Sequence, residues 1–182
     1  MISTDDMDTD DVLEIAKREQ ESRGVKDIVV ASTTGSTGLK AAKLFKDTNT
    51  NLVVIPHSSG FREPNKDEFY EKNRMEIESL GGTVVFSTMP FHTINDAIRV
   101  KMGSSTLSLI ADTLRMMGQG TKVCVEIVTM ACDTGHIDSD EDVIAIAGTG
   151  RGADTVLLIN SANSRRFFNI KIKDVIAKPQ LG

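Results

Sequence analysis

Residues 26–56 read KDIVVASTTGSTGLKAAKLFKDTNTNLVVIP, and this stretch determines the predicted fold class. Two short runs rich in β-branched residues, 27–31 and 51–55, are typical of buried strands because each is apolar and bounded by polar residues. Between them, residues 39–45 have the apolar spacing of a helix. Because strand, helix and strand in this order form the repeating unit of a parallel sheet, an α/β fold is predicted.

The same alternation continues along the chain. The first helix is predicted to begin at Thr9, as its N-cap, and to end at Gly24. Further helices are predicted over residues 66–80, 94–102, 107–114 and 122–134. Strands are predicted over residues 83–86, 143–147, 155–160 and 168–176. The last strands have no helix between them, so we expect antiparallel pairing at the C-terminal edge of the sheet. The prediction is a single α/β domain over residues 1–182, of which residues 1–9 are an acidic lead-in. Its predicted architecture is a three-layer sandwich with a mostly parallel sheet.

Within this pattern, residues 122–134 (KVCVEIVTMACDT) fit two interpretations. Their β-branched composition favours a strand, whereas their apolar spacing permits a helix. Gly135 followed by apolar Ile137 is typical of a left-handed helix end, so a helix is predicted.

Composition and charge exclude several classes of partner. The chain has 182 residues and a net charge of −5. Six of its 26 acidic residues lie within residues 1–14, which hold no base, so the remainder has 21 bases against 20 acids. A nearly neutral body with 4% aromatic residues argues against nucleic-acid binding and against a polybasic membrane anchor. Two cysteines and no secretory leader or long apolar run predict a cytoplasmic protein.

The loop after the first predicted strand of that unit is the strongest candidate binding site. It consists of Ser32, Thr33, Thr34, Gly35, Ser36, Thr37 and Gly38. Ligands of parallel sheets bind beyond the carboxyl ends of the strands, where backbone N–H groups at a helix start attract anions. Lys40 is close enough along the chain to contribute, but no GK[ST] sequence follows, so this is no Walker A loop. The alternative is a strand-to-helix turn with Ser/Thr caps.

Two further loops are predicted to lie at the same edge. His57, Gly60, Phe61 and Arg62 follow the second strand of the unit and could shape a pocket for a flat ring or a phosphate; alternatively, Phe61 covers the core and His57 is a surface residue.

The other loop follows residues 143–147 and contains Gly148, Thr149, Gly150, Arg151 and Gly152. Arg151 could bind a phosphate or carboxylate, although a hairpin-type loop with a solvated arginine fits equally well.

Other chemical candidates are weaker. Glu126 lies in an apolar segment, where a buried carboxylate would be paired or functional, but helix amphipathicity favours a solvated face for it. His57, Glu126 and Cys132 are the candidates if the protein is an enzyme. The cysteine and histidine spacings match no zinc pattern, so no metal is predicted.

The segment 26–56 resembles the start of the C-terminal domain of pyruvate kinase, which also has an apolar strand, a Thr/Ser-Gly loop, a helix and a second strand. Residues 142–154 and 168–175 resemble its closing strands. Because only about 25 residues precede the first of these strands, the catalytic barrel is missing and pyruvate kinase activity is not expected. The chain is more similar to stand-alone archaeal and bacterial proteins of this fold, and that resemblance implies FMN as a ligand and residues 33–38 as its phosphate loop.

The predicted function is therefore binding of a phosphorylated small molecule or nucleotide cofactor, with FMN as the first candidate. Two alternatives remain open: an enzyme, such as a flavin-dependent oxidoreductase, that uses the same pocket, and a regulatory or homo-oligomerising subunit whose helices between 104 and 134 pack against a partner.

Overall fold

A computed structural model describes residues 1–180 as three layers with a sheet in the middle. The strands are β1 (Ile2–Ser3), β2 (Asp27–Ala31), β3 (Asn51–Ile55), β4 (Thr83–Val84), β5 (Asp142–Ala147), β6 (Thr155–Asn160) and β7 (Lys171–Lys178). The helices are α1 (Thr9–Arg23), α2 (Ser36–Phe45), α3 (Glu71–Ser79), α4 (Ile94–Met102), α5 (Thr106–Arg115) and α6 (Gln119–Asp133), and a 3-10 helix covers Ser164–Asn169.

The sheet order is β1-β7-β6-β5-β2-β3-β4. β2 pairs in parallel with β3 and β5, β3 pairs in parallel with β4, and β1 pairs in parallel with β7. β6 is antiparallel to both of its neighbours, β5 and β7. The mostly parallel sheet and the antiparallel pairing of the last strands are confirmed, although β1, from the acidic lead-in, lies outside them at that edge.

Each face of the sheet has its own apolar core because side chains alternate along a strand. On β2, Ile28 and Val30 face α1, α2 and α3, whereas Val29 faces α6. α5 packs against α6 from outside. Consequently α6 is enclosed between the sheet and a second layer of helix.

The start of α1 differs from the sequence prediction. Asp8, not Thr9, is the N-cap: its carboxylate accepts hydrogen bonds from the amides of Asp10 at 2.8 Å and Asp11 at 3.0 Å. The carboxylate of Asp11 in turn accepts from the amide of Asp8. This reciprocal capping box satisfies amides that a cap one residue later would leave unpaired.

Three other predicted boundaries are wrong. The helix predicted over 66–80 is α3 only, because the polar residues before Phe69 offer no apolar face to bury. The strand predicted over 83–86 ends at Val84. The strand predicted over 168–176 begins at Lys171, since the 3-10 helix takes residues 164–169 and packs Phe167 against Phe91 with ring centroids 5.6 Å apart.

The helix predicted over 122–134 is confirmed as α6, and Gly135 has the left-handed backbone that ends it, with φ at 73°. None of the helices described in residues 1–180 is long and apolar enough to cross a membrane.

Candidate functional site at the carboxyl edge of the sheet

Four parallel strands, β2, β3, β4 and β5, end at the same edge of the sheet. Their following loops cover residues 32–35, 56–70, 85–93 and 148–154. The loops that the sequence singled out therefore share this edge, which is where ligands of parallel sheets bind.

The loop after β2 presents backbone N–H groups at the start of α2. Gly35 has a left-handed backbone, with φ at 91°, and Ser36 begins the helix. The buried hydroxyl of Ser32 accepts a hydrogen bond from the amide of Gly38 at 3.0 Å, so that amide is already satisfied. The amides of Ser36 and Thr37 donate to no acceptor within residues 1–180. Two free N–H groups at a helix start form a local site for an anion.

The residues around the start of α3 hold this loop in place. The side-chain amide of Asn73 and the backbone amide of Tyr70 both donate to the carbonyl oxygen of Thr34, at 3.0 and 3.2 Å. A Cβ atom on Gly35 would lie 2.7 Å from Cβ of Asn73 and 2.9 Å from the ring of Phe69. Glycine is therefore required at position 35 for both backbone conformation and space.

His57, on the loop after β3, links the two loops. Its Nδ1 lies 2.8 Å from Oε2 of Glu68, and its Nε2 lies 3.5 Å from Oγ1 of Thr33. Arg62 pairs with the other oxygen of Glu68 at 3.0 Å, and its side chain is 71% exposed. The structure thus brings His57 and Thr33 together, whereas Arg62 extends into solvent from the far side of Glu68.

Phe61 lies between two histidines. Its ring centroid is 4.1 Å from that of His57 and 5.6 Å, edge-on, from that of His92. Phe61 is 36% exposed, so it does not cover the core. Gly60 makes the preceding turn with φ at 76°. These rings form an aromatic surface beside the loop after β2.

The loop 148–152 closes on itself at the start of α1. The amide of Thr149 donates to Asp154 at 2.7 Å, and the amide of Ala153 donates to Oγ1 of Thr9 at 3.2 Å. Gly148 packs against the backbone of Gly152, which itself contacts Thr9, whereas Gly150 faces open space. Arg151 is exposed and forms no ion pair within residues 1–180. The structure records no bond that joins this loop to residues 32–38.

Lys40 also points elsewhere than predicted. It lies on the exposed side of α2 and forms an ion pair with Asp10 of α1 at 2.7 Å.

The expectation that Glu126 faces solvent is wrong. Glu126 is 1% exposed and Lys122, one turn before it on α6, is 0% exposed; Nζ of Lys122 lies 2.5 Å from Oε2 of Glu126. Oε1 of Glu126 accepts from the amide of Phe91 at 2.8 Å. The solvated-face prediction failed because the segment after β4 and α5 cover the outer side of α6.

His92 completes this group. Its Nδ1 lies 3.1 Å from Nζ of Lys122 and 3.3 Å from Oε1 of Glu126. Burial lowers the pKa of Lys122, and Glu126 opposes that change. Burial raises the pKa of Glu126, but the hydrogen bonds it accepts and the positive charge of Lys122 outweigh burial and lower that pKa from its usual value. The sequence signal for this cluster was the Lys122–Glu126 spacing of four within an apolar run.

The cysteines do not suit nucleophilic chemistry. Burial raises the pKa of the Cys132 thiol to about 11 and that of Cys124 well above its usual range. Both thiols are therefore protonated at neutral pH, which leaves His57 and Glu126 as the better placed of the three enzyme candidates. Within residues 1–180, no group of three His, Cys, Asp or Glu side chains is arranged to hold a metal ion.

No protein-family model matches the chain. Among solved structures, O-ureido-L-serine synthase is similar over 60% of this chain and 29% of its own, with 20% identity and a TM-score of 0.33. An O-ureido-L-serine-bound mutant of that enzyme is similar over 68% of this chain and 46% of its own, with 16% identity and a TM-score of 0.34. The chain thus spans less than half the length of either protein, and similarity at these TM-scores carries no inference about its fold or function.

Proposed function

We propose that this protein binds a phosphorylated small molecule at the carboxyl edge of its sheet. The observation that carries the proposal is the pair of unpaired amides of Ser36 and Thr37 at the start of α2. They follow Gly35, whose left-handed backbone turns the chain into α2, and a helix start carries partial positive charge. A phosphate group placed there accepts both N–H bonds and the hydroxyl of Ser36.

FMN remains the first candidate ligand. Its phosphate suits the two amides, and the exposed ring of Phe61 beside His57 offers a surface against which a flat aromatic ring can stack. Thr33, which approaches His57, lies between these two parts. Bound FMN would supply redox chemistry through its ring. Visible absorption of the purified protein tests for this ligand directly, and turnover with an electron donor tests the oxidoreductase alternative.

The proposal extends to classification with the C-terminal domain of pyruvate kinase. Its support is the order strand, Thr/Ser-Gly loop, helix and strand over residues 27–55, together with antiparallel strands near the end of the chain. Residues 148–152 and Arg62 stay secondary members of the predicted site, because no hydrogen bond or ion pair joins them to residues 32–38.

The decisive variant is Ser36→Asp. A carboxylate at the first position of α2 is favourable to the helix dipole, so the fold is retained, but it repels a phosphate bound to the same amides. We expect FMN or another phosphorylated ligand to bind at least about tenfold more weakly by calorimetry. The matched control is Thr106→Asp, at the first position of α5, which is equally exposed. Equal binding by both variants and the unmodified protein contradicts the proposal.

A second candidate function, association with another copy of this chain, is favoured by one specific observation. Large apolar side chains are exposed throughout α4, α5 and the following turn: Ile94, Ile98, Val100, Met102, Leu107, Leu109, Met116 and Met117. Of the predicted apolar stripe of α5, Ala111 is enclosed, Ile110 and Leu114 are partly buried against the core, and Leu107 is exposed. Several exposed apolar side chains on neighbouring elements are typical of a protein–protein interface.

Sedimentation equilibrium tests this second candidate. We expect a mass above 19.8 kDa that returns to the monomer value in the double variant Val100→Lys, Met102→Lys. Phe168→Lys is the matched control, because Phe168 is also highly exposed but lies on the 3-10 helix, outside the segment. A monomeric parent protein, or equal dissociation by the control, contradicts the candidate.

A further inference from the structure

The buried cluster of Lys122, Glu126 and His92 has no part in the phosphate proposal. Lysine and glutamate are almost never fully buried unless paired, and here both are enclosed on one helix. The ammonium group of Lys122 also lies 5.3 Å above the ring centroid of Phe91. Because the desolvation of two charges often exceeds their mutual attraction, stability alone gives little reason for such a pair.

The contacts of His92 define which of its nitrogens carries the proton. A lysine ammonium donates only, so Nδ1 of His92, 3.1 Å from Nζ of Lys122, must accept. Oε1 of Glu126, which accepts from the amide of Phe91 at 2.8 Å, is 3.3 Å from the same nitrogen, so the contact with Lys122 is the shorter of the two. Neutral His92 therefore carries its proton on Nε2, which points away from the ion pair.

A polar cavity of about 320 Å³ lies beside His92, which forms part of its wall. Its wall includes Asn95 and Ser108, and two pairs of opposite charge, Arg99 with Asp96 on α4 and Arg115 with Asp112 on α5. This volume suits a small molecule. Nε2 of His92 has no hydrogen-bond acceptor within residues 1–180, since both bonds of its ring are at Nδ1.

Both arginines of this cavity have N–H groups without a hydrogen-bond partner in residues 1–180. Each guanidinium has five N–H bonds, of which the recorded partners use one for Arg99 and two for Arg115. Asp96 and Asp112 are each paired with the arginine three residues along the same helix. The free guanidinium N–H groups and Nε2–H of His92 are donors that suit an anionic oxygen of a ligand.

The backbone beside His92 supports a functional assignment. Thr93 has φ at 50° and ψ at −115°, a conformation that non-glycine residues rarely adopt. Buried Asn95 holds this turn, since its side-chain amide donates to the carbonyl oxygen of Phe91 at 2.9 Å. Backbone strain of this kind concentrates at binding and catalytic sites, where the surrounding structure maintains it.

From these observations we propose that the cavity between α4, α5 and His92 is a second ligand site, which binds a small organic acid through its carboxylate. Nε2–H of His92 donates to one carboxylate oxygen, and Arg99 and Arg115 donate to the other. Lys122 is a positioning residue: by donating to Nδ1 it keeps the proton on Nε2. The site uses none of residues 32–38, although the ring of His92 contacts that of Phe61, with centroids 5.6 Å apart.

NMR of protein labelled with ¹⁵N-histidine tests both parts of this inference. The signals of His92 are assigned with His92→Gln. We expect the signals of the neutral imidazole to report a proton on Nε2 only. Titration with lactate should shift the His92 signals with saturation and leave those of exposed His136 unchanged. A proton on Nδ1, or no shift of His92 with lactate, overturns the proposal.

Two comparisons define the ligand class and the role of the arginines. Inorganic phosphate is the second probe: if it shifts His92 more strongly than lactate does, the carboxylate assignment is wrong. Arg115→Gln should weaken lactate binding at least about tenfold, the loss of a charge-assisted hydrogen bond. Arg74→Gln, which removes an arginine paired in the same manner on α3, is the control and should bind lactate normally. Ser36→Asp should also leave the lactate shift unchanged, which separates this site from the phosphate site.

Lys122→Met tests the positioning role with a readout that a purely structural role would not change. Without the ammonium donor, Nδ1 of His92 is free to donate to Glu126, so the proton should move from Nε2 to Nδ1. If the folded variant keeps its proton on Nε2, the role assigned to Lys122 is wrong. Should Lys122→Met fail to fold, Lys122→Met with Glu126→Leu supplies the same test, because Nδ1 then has neither partner and both proton positions should be populated.

Discussion

Lys122 and Glu126 should be strongly coupled in their effect on stability. The perturbation is a double-mutant cycle of Lys122→Met, Glu126→Leu and the two together. Both side chains are at most 1% exposed and lie 2.5 Å apart, so removal of one partner leaves an uncompensated charge in an enclosed site. Replacement of both leaves two apolar side chains of similar size between the sheet and α5.

The expected magnitudes follow from that burial. Each single substitution should lower the free energy of unfolding by about 3–5 kcal/mol, the cost found when one partner of a buried ion pair is removed. The double variant should be within about 2 kcal/mol of the unmodified protein or more stable than it. The amide of Phe91, which donates to Glu126, loses its acceptor in the double variant, and this moderates any gain.

Urea denaturation followed by circular dichroism measures the four free energies of unfolding, with equal slopes required for the comparison. The expected coupling energy is several kcal/mol, far above the additive limit for independent sites. Arg74→Met with Glu78→Leu, an exposed pair four residues apart on α3, is the control and should show coupling below about 1 kcal/mol. If the single substitutions at 122 and 126 cost under about 1 kcal/mol and their effects add, the pair is not buried as described.

Three further predictions concern titration, packing and thiol reactivity. The pKa of Glu126 is lower in the folded than in the unfolded protein, so its contribution to stability is present above pH 4.5 and is lost as pH falls through the folded pKa. Glu126→Gln should therefore flatten the acid side of the curve of stability against pH. An unchanged steepness of that curve argues against an ionised Glu126. Gly35→Ala should destabilise the fold by at least about 2 kcal/mol in urea denaturation, because φ at this position is 91° and a Cβ atom would lie 2.7 Å from Asn73. Gly150 faces open space, so the control Gly150→Ala should change stability by under about 0.5 kcal/mol. Equal effects of the two substitutions contradict the described packing of the loop after β2. Cys132, with a pKa of about 11, should react slowly with iodoacetamide at neutral pH and faster as pH rises. Mass spectrometry measures this alkylation. Rapid alkylation of the folded protein at neutral pH would mean that the thiol of Cys132 is not shielded.

Hydrophobic periodicity was sufficient to predict the α/β class and most elements. β2 and β3 have the predicted boundaries because short apolar runs between polar residues are unambiguous when both faces are buried. α6 was identified through the glycine at its end, although its composition favoured a strand. The 3-10 helix at 164–169 was missed because its position depends on the contact between Phe167 and Phe91, which are distant in sequence.

The candidate sites were harder to predict for a different reason. Parallel strands place the loops 32–38, 57–62 and 148–152 at one edge of the sheet, and this could be predicted from the sequence. Which of these loops contact one another could not be predicted. His57 contacts Thr33 because Glu68, itself far along the loop, orients its ring. The burial of Glu126 required knowledge that α5 and residues 89–92 cover α6, a long-range packing that no local pattern encodes.

The central claim, that Ser36 and Thr37 bind phosphate through free amides, is tested most directly by residue-resolved NMR. Titration of ¹⁵N-labelled protein with FMN, and separately with inorganic phosphate, should shift the amide signals of these two residues first and most. The amide of Gly38, already bonded to Ser32, should respond less. If neither ligand moves the signals of Ser36 and Thr37 while other amides respond, phosphate binds elsewhere and the proposed site is wrong.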